Sequence, residues 1–288
     1  MATRLRDGIT PSAPAIASSY RSSVLIFDSG VGGLSVYEEV RSLLPDLHFL
    51  YAFDNEAFPY GEKSEPFIVD RVIKIVRAIS QRYPLSLVII ACNTASTVTL
   101  PALRERFAFP VIGVVPAIKP AACLTQNGVI GLLATHGTIA RAYTLDLITR
   151  FASECKTVML GSAELVELAE EKIRGYPVPL KDIRHILRPW LSMAVPPDTV
   201  VLGCTHFPLL SIELRAVLPA ATHLIDSGGA IARRVVWLLA NEAPSATSND
   251  ASRAFCSKID EKSEQLLPAL KCYGFNELEE LVIRSDNL

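Results

Sequence analysis

The sequence predicts an α/β protein built from two doubly wound domains with mainly parallel sheets, and three observations carry that expectation. Short, almost continuously apolar segments alternate with segments of helical periodicity, as buried parallel strands covered by helices on both faces would. The 288 residues are about twice the length of a usual single domain. Two strand-ending segments also have echoes: residues 87–94 (LVIIACNT) in 199–206 (TVVLGCTH), and 24–30 (VLIFDSG) in 223–228 (HLIDSG). The echoes come in reversed order, so shared strand-end chemistry stands as an alternative to duplication.

Taken in order, residues 1–23 are rich in Ser, Ala, Thr and Pro without periodicity, and they read as an extension outside the first core. Residues 24–27 form a strand pattern, followed by the turn DSGVGG and a helix with Leu34, Tyr37, Val40 and Leu44 on one side, ended by Pro45. A strand at 48–53 leads through a polar turn at 54–61 to a helix over about 66–81 carrying Ile68, Val72, Ile75, Val76 and Ile79. Strands follow at 85–91, 111–115 and 129–133, then a helix at 138–151, a strand at 157–160, helices at 163–174 and 180–193, and a strand at 199–202. Ligands of such sheets bind at the carboxyl ends of the strands.

Composition narrows the partners. Half the residues are hydrophobic and 20% are charged, which excludes a disordered chain. With 28 Lys and Arg against 30 Asp and Glu, the net charge of -2 provides no broad footprint for nucleic acid or an anionic membrane, so small molecules are the expected partners. The first 23 residues lack the apolar core of a secretory signal, and the longest apolar runs, such as residues 87–92, are too short to span a bilayer. A cytoplasmic location is expected. The six cysteines are scattered without a CxxC pair, so neither a metal site nor a disulfide framework is indicated.

Cys92 and Cys204 each end an apolar strand and precede a polar segment that begins a helix. At that position exposed backbone N–H groups and the helix dipole favour thiolate over a free-thiol pKa of about 8.5. Cys123, Cys155, Cys256 and Cys272 are read as packing residues. Two thiols facing each other across a cleft suit inversion of a stereocentre, one taking a proton from carbon while the other delivers one to the opposite face. His206, two residues after Cys204, could hold that sulfur as thiolate. Asp28, at the first strand end, could play the matching part for Cys92 or could cap the turn that follows. His48, His136, His185 and His223 are read as surface or packing residues. The glycine loop at 30–33 fails the dinucleotide fingerprint, because Ser35 stands where the third glycine would be. It reads instead as a close backbone approach to a small anion, with Ser29 and N–H groups at the helix start holding a carboxylate, or as a tight turn alone.

Four segments, VLIFDSGVGGL (24–34), DNEAFPYG (54–61), ACNTAS (91–96) and GCTHFPL (203–209), resemble the signature segments of the glutamate racemases, in the cofactor-independent aspartate/glutamate racemase superfamily. The resemblance runs from residue 24 to the C-terminus in the family's order. It implies interconversion of L- and D-glutamate for bacterial peptidoglycan, without pyridoxal phosphate or metal. It makes Cys92 and Cys204 the catalytic cysteines, with Asp28, His206 and Glu170 as supporting acid/base groups and Asp54 as a further one. Glu170 lies in a segment where Glu167 replaces a Pro common in the family. Substrate contacts implied are Asp28, Ser29, Tyr60, Gly61, Asn93, Thr94, Thr205 and His206, with Thr135 and Thr138 lining the pocket. It also implies a first domain of residues 24–115 and 230–288, a second of 116–229, and an active site between them. The extension resembles that of enteric-type members activated by UDP-N-acetylmuramoyl-L-alanine. Alternatives are a racemase for aspartate or hydantoin, or a non-catalytic regulatory protein on the same scaffold, such as one acting on DNA gyrase. Two strand-end cysteines weigh against the last. A thiol hydrolase would leave one of them unexplained.

Overall fold

The computed structural model describes residues 23–240 and 251–283. The segment read as an N-terminal extension lies, but for Ser23, outside the described residues. Among the described residues ten strands form two all-parallel sheets. The first contains β1 (Ser23–Asp28), β2 (His48–Phe53), β3 (Leu85–Ile90) and β4 (Val111–Gly113). The second contains β5 (Val129–Ala134), β6 (Lys156–Gly161), β7 (Thr199–Leu202) and β8 (His223–Ile225). The chain then returns to the first sheet to add β9 (Arg253–Cys256) and β10 (Leu278–Glu280) beyond β2.

Apolar runs make these strands because both faces are covered. On β1, Val24 and Ile26 enter one core while Leu25 and Phe27 enter the core on the opposite face, all fully buried. In the second sheet, Ile130 and Leu132 of β5 face one core and Leu133 the other. The short or edge strands depart from the pattern: β6 leaves Met159 exposed, and β8 and β10 are only partly covered. Among the described residues no helix is long and apolar enough to cross a membrane.

The first sheet runs β10-β9-β2-β1-β3-β4 and the second β6-β5-β7-β8. Counted from the first strand of each, both contain the order second, first, third, fourth. Strand order reverses beside β1 and again beside β5, and at such switch points a crevice opens outside the carboxyl ends. This relation sorts the sequence echoes. β3 and β7 occupy equivalent places, so Cys92 and Cys204 follow equivalent strands. The echo of residues 24–30 in 223–228 does not hold spatially: β1 is central, whereas β8 is an edge strand equivalent to β4. That second echo is shared strand-end chemistry.

One further difference arises from local physics. The helix expected over 138–151 is two helices, His136–Ala140 and Ala142–Phe151, because Arg141 takes an extended conformation (φ -70°, ψ 134°) between them. The helix Gly228–Leu239 packs on Leu34–Leu43, sending Ile231, Ala232 and Val235 into the core of the first sheet although it follows the last strand of the second.

Candidate active site

The carboxyl ends of β1, β3, β5 and β7 converge on a cavity of about 160 Å³ whose wall includes Ser29, Cys92, Asn93, Thr135, Cys204 and Thr205. Each arrives by the same local logic: an apolar strand stops at a polar residue, and the chain turns into a helix.

Cys92 follows β3 and caps the helix Asn93–Arg106, its Sγ accepting from the Ala95 N–H at 3.5 Å and lying 3.7 Å from Ser29 Oγ. These contacts favour thiolate, as the sequence position suggested. They are outweighed: burial and the charge of Asp28 push the Cys92 thiol well above its ordinary value. The expectation that the helix start lowers the Cys92 thiol is therefore corrected: burial and the Asp28 charge win, and the direction is upward. Its neighbour Asn93 is 3% exposed, and neither Nδ2 nor Oδ1 of its amide has a protein partner. An unpaired buried amide on a residue of the cavity wall is a candidate ligand group.

Asp28 ends β1 and is fully buried. Its carboxylate accepts the Ser29 N–H at 2.5 Å and the Thr205 hydroxyl at 3.0 Å, so it ties the first sheet to the CTH segment of the second. Burial raises its pKa against the opposing pull of the His206 charge and these hydrogen bonds. It caps the turn that follows, and its charge raises the Cys92 thiol, the opposite of holding that sulfur as thiolate.

On the opposite side Cys204 Sγ lies 3.7 Å from His206 Nδ1, and His206 Nε2 lies 2.8 Å from Glu170 Oε1. Burial alone would lower the His206 pKa, but hydrogen bonds and charges of Cys204 and Glu170 overcome it and raise the imidazole well above its ordinary value. Burial would likewise push Glu170 up. The hydrogen bond and charge of His206, the Val31 N–H and Arg174 hold it below the usual carboxylate range. The stability this pair contributes is full between the ordinary carboxylate value near 4.5 and the ordinary imidazole value near 6.5; it declines as pH rises from there toward the raised folded value of His206, and is lost as pH falls through the lowered folded value of Glu170. The gap in thermal stability between the unaltered chain and Glu170→Gln should thus be widest in that mildly acidic window and close on further acidification. A gap that persists unchanged in acid would contradict the pairing.

Part of the glycine loop serves a carboxylate of the protein itself, while Ser29 keeps its place on the cavity wall. Val31 N–H of the loop donates to Glu170 Oε1 at 2.8 Å. Its glycines admit the CTH segment, since a Cβ on Gly32 would sit 2.4 Å from His206 Nδ1 and 2.7 Å from the His206 backbone nitrogen.

Tyr60 and Gly61 line the cavity. Behind them, fully buried Asp54 accepts the Tyr60 hydroxyl at 2.6 Å and the Arg71 Nε–H at 2.9 Å, with a second guanidinium contact from Arg71 Nη2. Asp54 therefore faces Tyr60 and Arg71 and does not line the cavity, which places it as a support for the PYG segment. Removing one partner of a buried pair costs about 3 kcal/mol or more. Arg71→Met should lower the unfolding free energy by about that amount in urea titration, and Tyr60→Phe by about 1 kcal/mol. Equal losses would contradict this arrangement. Thr94, Thr135 and Thr138 bring their hydroxyls within 3.0–3.3 Å of one another, joining the helix after β3 to the one after β5. Of these, Thr94 and Thr135 reach the cavity, with Thr138 behind.

His136, read from sequence as a surface or packing residue, also borders the cavity, as do Phe58, Glu62, Val166 and Glu167. Phe58 and Glu62 lie inside or beside the PYG motif and were within reach of its signal. His136 and Val166 carry no local signal, and only the meeting of the two sheets reveals them.

Residues 31–235 match the family model described as Asp/Glu/Hydantoin racemase. Glutamate racemase of Klebsiella pneumoniae is 68% identical over 281 residues, covering 98% of this chain and 99% of the relative. A crystal structure of Escherichia coli glutamate racemase, in complex with L-glutamate and the activator UDP-MurNAc-Ala, superposes with a TM-score of 0.89 at 66% identity, covering 92% of this chain and all of that one. Glutamate racemase isoform RacE1 of Bacillus anthracis gives 0.76 at 29% identity, covering 91% and 97%. The matching sheets, the strand-end cysteines and near-full-length identity to named members place this chain in the Asp/Glu/hydantoin racemase family, among its glutamate racemases.

Proposed function

We propose that this chain interconverts L- and D-glutamate by direct proton transfer at Cα between Cys92 and Cys204, without a cofactor. The observation that carries the reading is that two thiols, at equivalent ends of pseudo-symmetric strands, border one cavity. Their nearest partners differ: Ser29 and Asp28 serve Cys92, and His206 with Glu170 serves Cys204.

In the forward direction Cys204, as thiolate beside His206, takes the α-proton of L-glutamate. The C–H electron pair stays on carbon and spreads into the α-carboxylate. Cys92, as thiol, donates its S–H proton to the opposite face and is left as thiolate. The reverse reaction begins from that form, with Cys92 as thiolate removing the proton of D-glutamate and Cys204 as thiol donating to the other face. The unpartnered Asn93 amide, the Thr94 and Thr205 hydroxyls and the Ser29 hydroxyl supply polar atoms for the substrate's ionic groups, and their fixed positions lower the cost of the carbanionic state. Enclosure between the two sheets strengthens each of these contacts by excluding water.

D-glutamate made this way would serve bacterial peptidoglycan synthesis, and the cytoplasm, where glutamate is abundant, is the expected setting. By likeness to the E. coli enzyme, UDP-N-acetylmuramoyl-L-alanine is proposed as an activator. The test is loss of circular dichroism from L- and from D-glutamate, run beside aspartate, in D2O. Glutamate should lose its signal from both enantiomers with deuterium appearing at Cα. Faster loss from aspartate, or product without deuterium, would overturn the reading.

A further inference from the structure

One cation stands directly behind the Cys204 side of the site. The helix Glu164–Ile173 is followed by Arg174, whose Nη1 lies 3.2 Å from Glu170 Oε2 one turn earlier. The other oxygen, Glu170 Oε1, meets His206 Nε2 at 2.8 Å, and His206 Nδ1 lies 3.7 Å from Cys204 Sγ. Guanidinium, carboxylate, imidazole and sulfur therefore form one line ending at the substrate cavity. Both ends of the ion pair are sheltered, with Arg174 12% and Glu170 9% exposed, so the interaction is screened less than a surface pair.

The charges nearby make this cation matter. A second cavity, of about 520 Å³, touches the back of the site, where Glu170 and Arg174 share its wall with Glu167, Glu171, Asp260 and Lys262. Asp28 adds its charge from the first sheet. Without Arg174, Glu170 keeps His206 and the Val31 N–H but loses one of the charges that hold it ionised against burial. A less firmly ionised and less firmly oriented Glu170 stabilises a charged imidazole beside Cys204 less. Arg174 also fixes the carboxylate's rotation, because holding Oε2 leaves Oε1 turned toward His206 and the Val31 N–H. Cys92 is served by other groups, Ser29, Asp28 and the Ala95 N–H.

We propose that Arg174 is a positioning residue for the reaction: it holds Glu170 as a carboxylate facing His206 and through that pair sets how readily Cys204 exchanges its proton, leaving Cys92 untouched. The proposal rests on the two-thiol reading above.

The experiment uses L- and D-glutamate deuterated at Cα and compares kcat/KM isotope effects in the two directions. Arg174→Met should lower kcat/KM about tenfold, and equally in both directions, because the racemisation equilibrium constant is one. Proton transfer at Cys204 then becomes more limiting. The isotope effect should rise for the enantiomer whose hydrogen Cys204 removes and fall for the other, and Arg174→Lys should restore most of the original ratio. A general loosening of the fold would not move the two effects in opposite directions. If the methionine variant does not fold, Arg174→Gln, which keeps a donor and loses the charge, carries the same readout. An unchanged ratio in an active variant overturns the role of Arg174. An unaltered chain that fails to racemise glutamate overturns the functional reading itself.

Discussion

Alanine at Cys92 or at Cys204 should abolish racemisation in both directions, by about 10³-fold or more, the usual worth of a positioned acid or base. Inversion needs a donor and an acceptor on opposite faces, so either loss stops the whole reaction even though the other thiol is intact. The surviving thiol still has its carbon within reach. Cys92→Ala should therefore leave slow exchange of the α-hydrogen of one enantiomer with D2O, without inversion, and Cys204→Ala the same exchange of the other enantiomer. Mass spectrometry of recovered L- and D-glutamate reads this directly. Exposed Cys123 provides the control, since Cys123→Ala should retain racemisation. A single-cysteine variant that still racemises would remove the two-thiol mechanism.

The second large effect comes from one added methyl group. In Gly32→Ala the new Cβ would fall 2.4 Å from His206 Nδ1, 2.7 Å from the His206 backbone nitrogen and 2.7 Å from Thr205 Oγ1. A backbone atom cannot swing aside as a side-chain tip can, so the loop and the CTH segment must separate. Overpacking of this kind costs about 1–3 kcal/mol. The catalytic loss should be larger in proportion, about 10²-fold in kcat, because the displaced atom is the His206 nitrogen nearest Cys204 and small misplacements are expensive at a reacting centre. Gly229→Ala is the contrasting substitution. It lies in the first turn of a helix, where the added Cβ meets nothing closer than 3.5 Å, so stability should hold or rise slightly. Comparable activity in the Gly32→Ala and Gly229→Ala variants would contradict the packing account.

How far these features could be read from the sequence follows from how local their causes are. Strand ends at Asp28, Cys92 and Cys204 are marked by an apolar run that stops at a polar residue, and the structure brings all three to one site. β9 and β10 were not expected. They are short, and each becomes a strand by pairing with chain far away, as Ala254 does with Tyr51. The glycine loop was legible as a close approach, but two of its partners were not, because Glu170 and His206 arrive from other parts of the chain. The Cys92 thiol was misjudged for a related reason: the helix start is visible in sequence, whereas burial and the Asp28 charge that outweigh it are not. Nothing in the sequence singled out Arg71 or Arg174, whose parts follow only from the carboxylates they hold.

The account stands on two sulfur atoms addressing one carbon. A crystal structure with D- or L-glutamate bound should show the Sγ atoms of Cys92 and Cys204 on opposite faces of Cα, each within about 3.5 Å to 4 Å of it as a reacting pair requires. Both sulfurs on the same face, or the amino acid seated where only one can reach Cα, would contradict it.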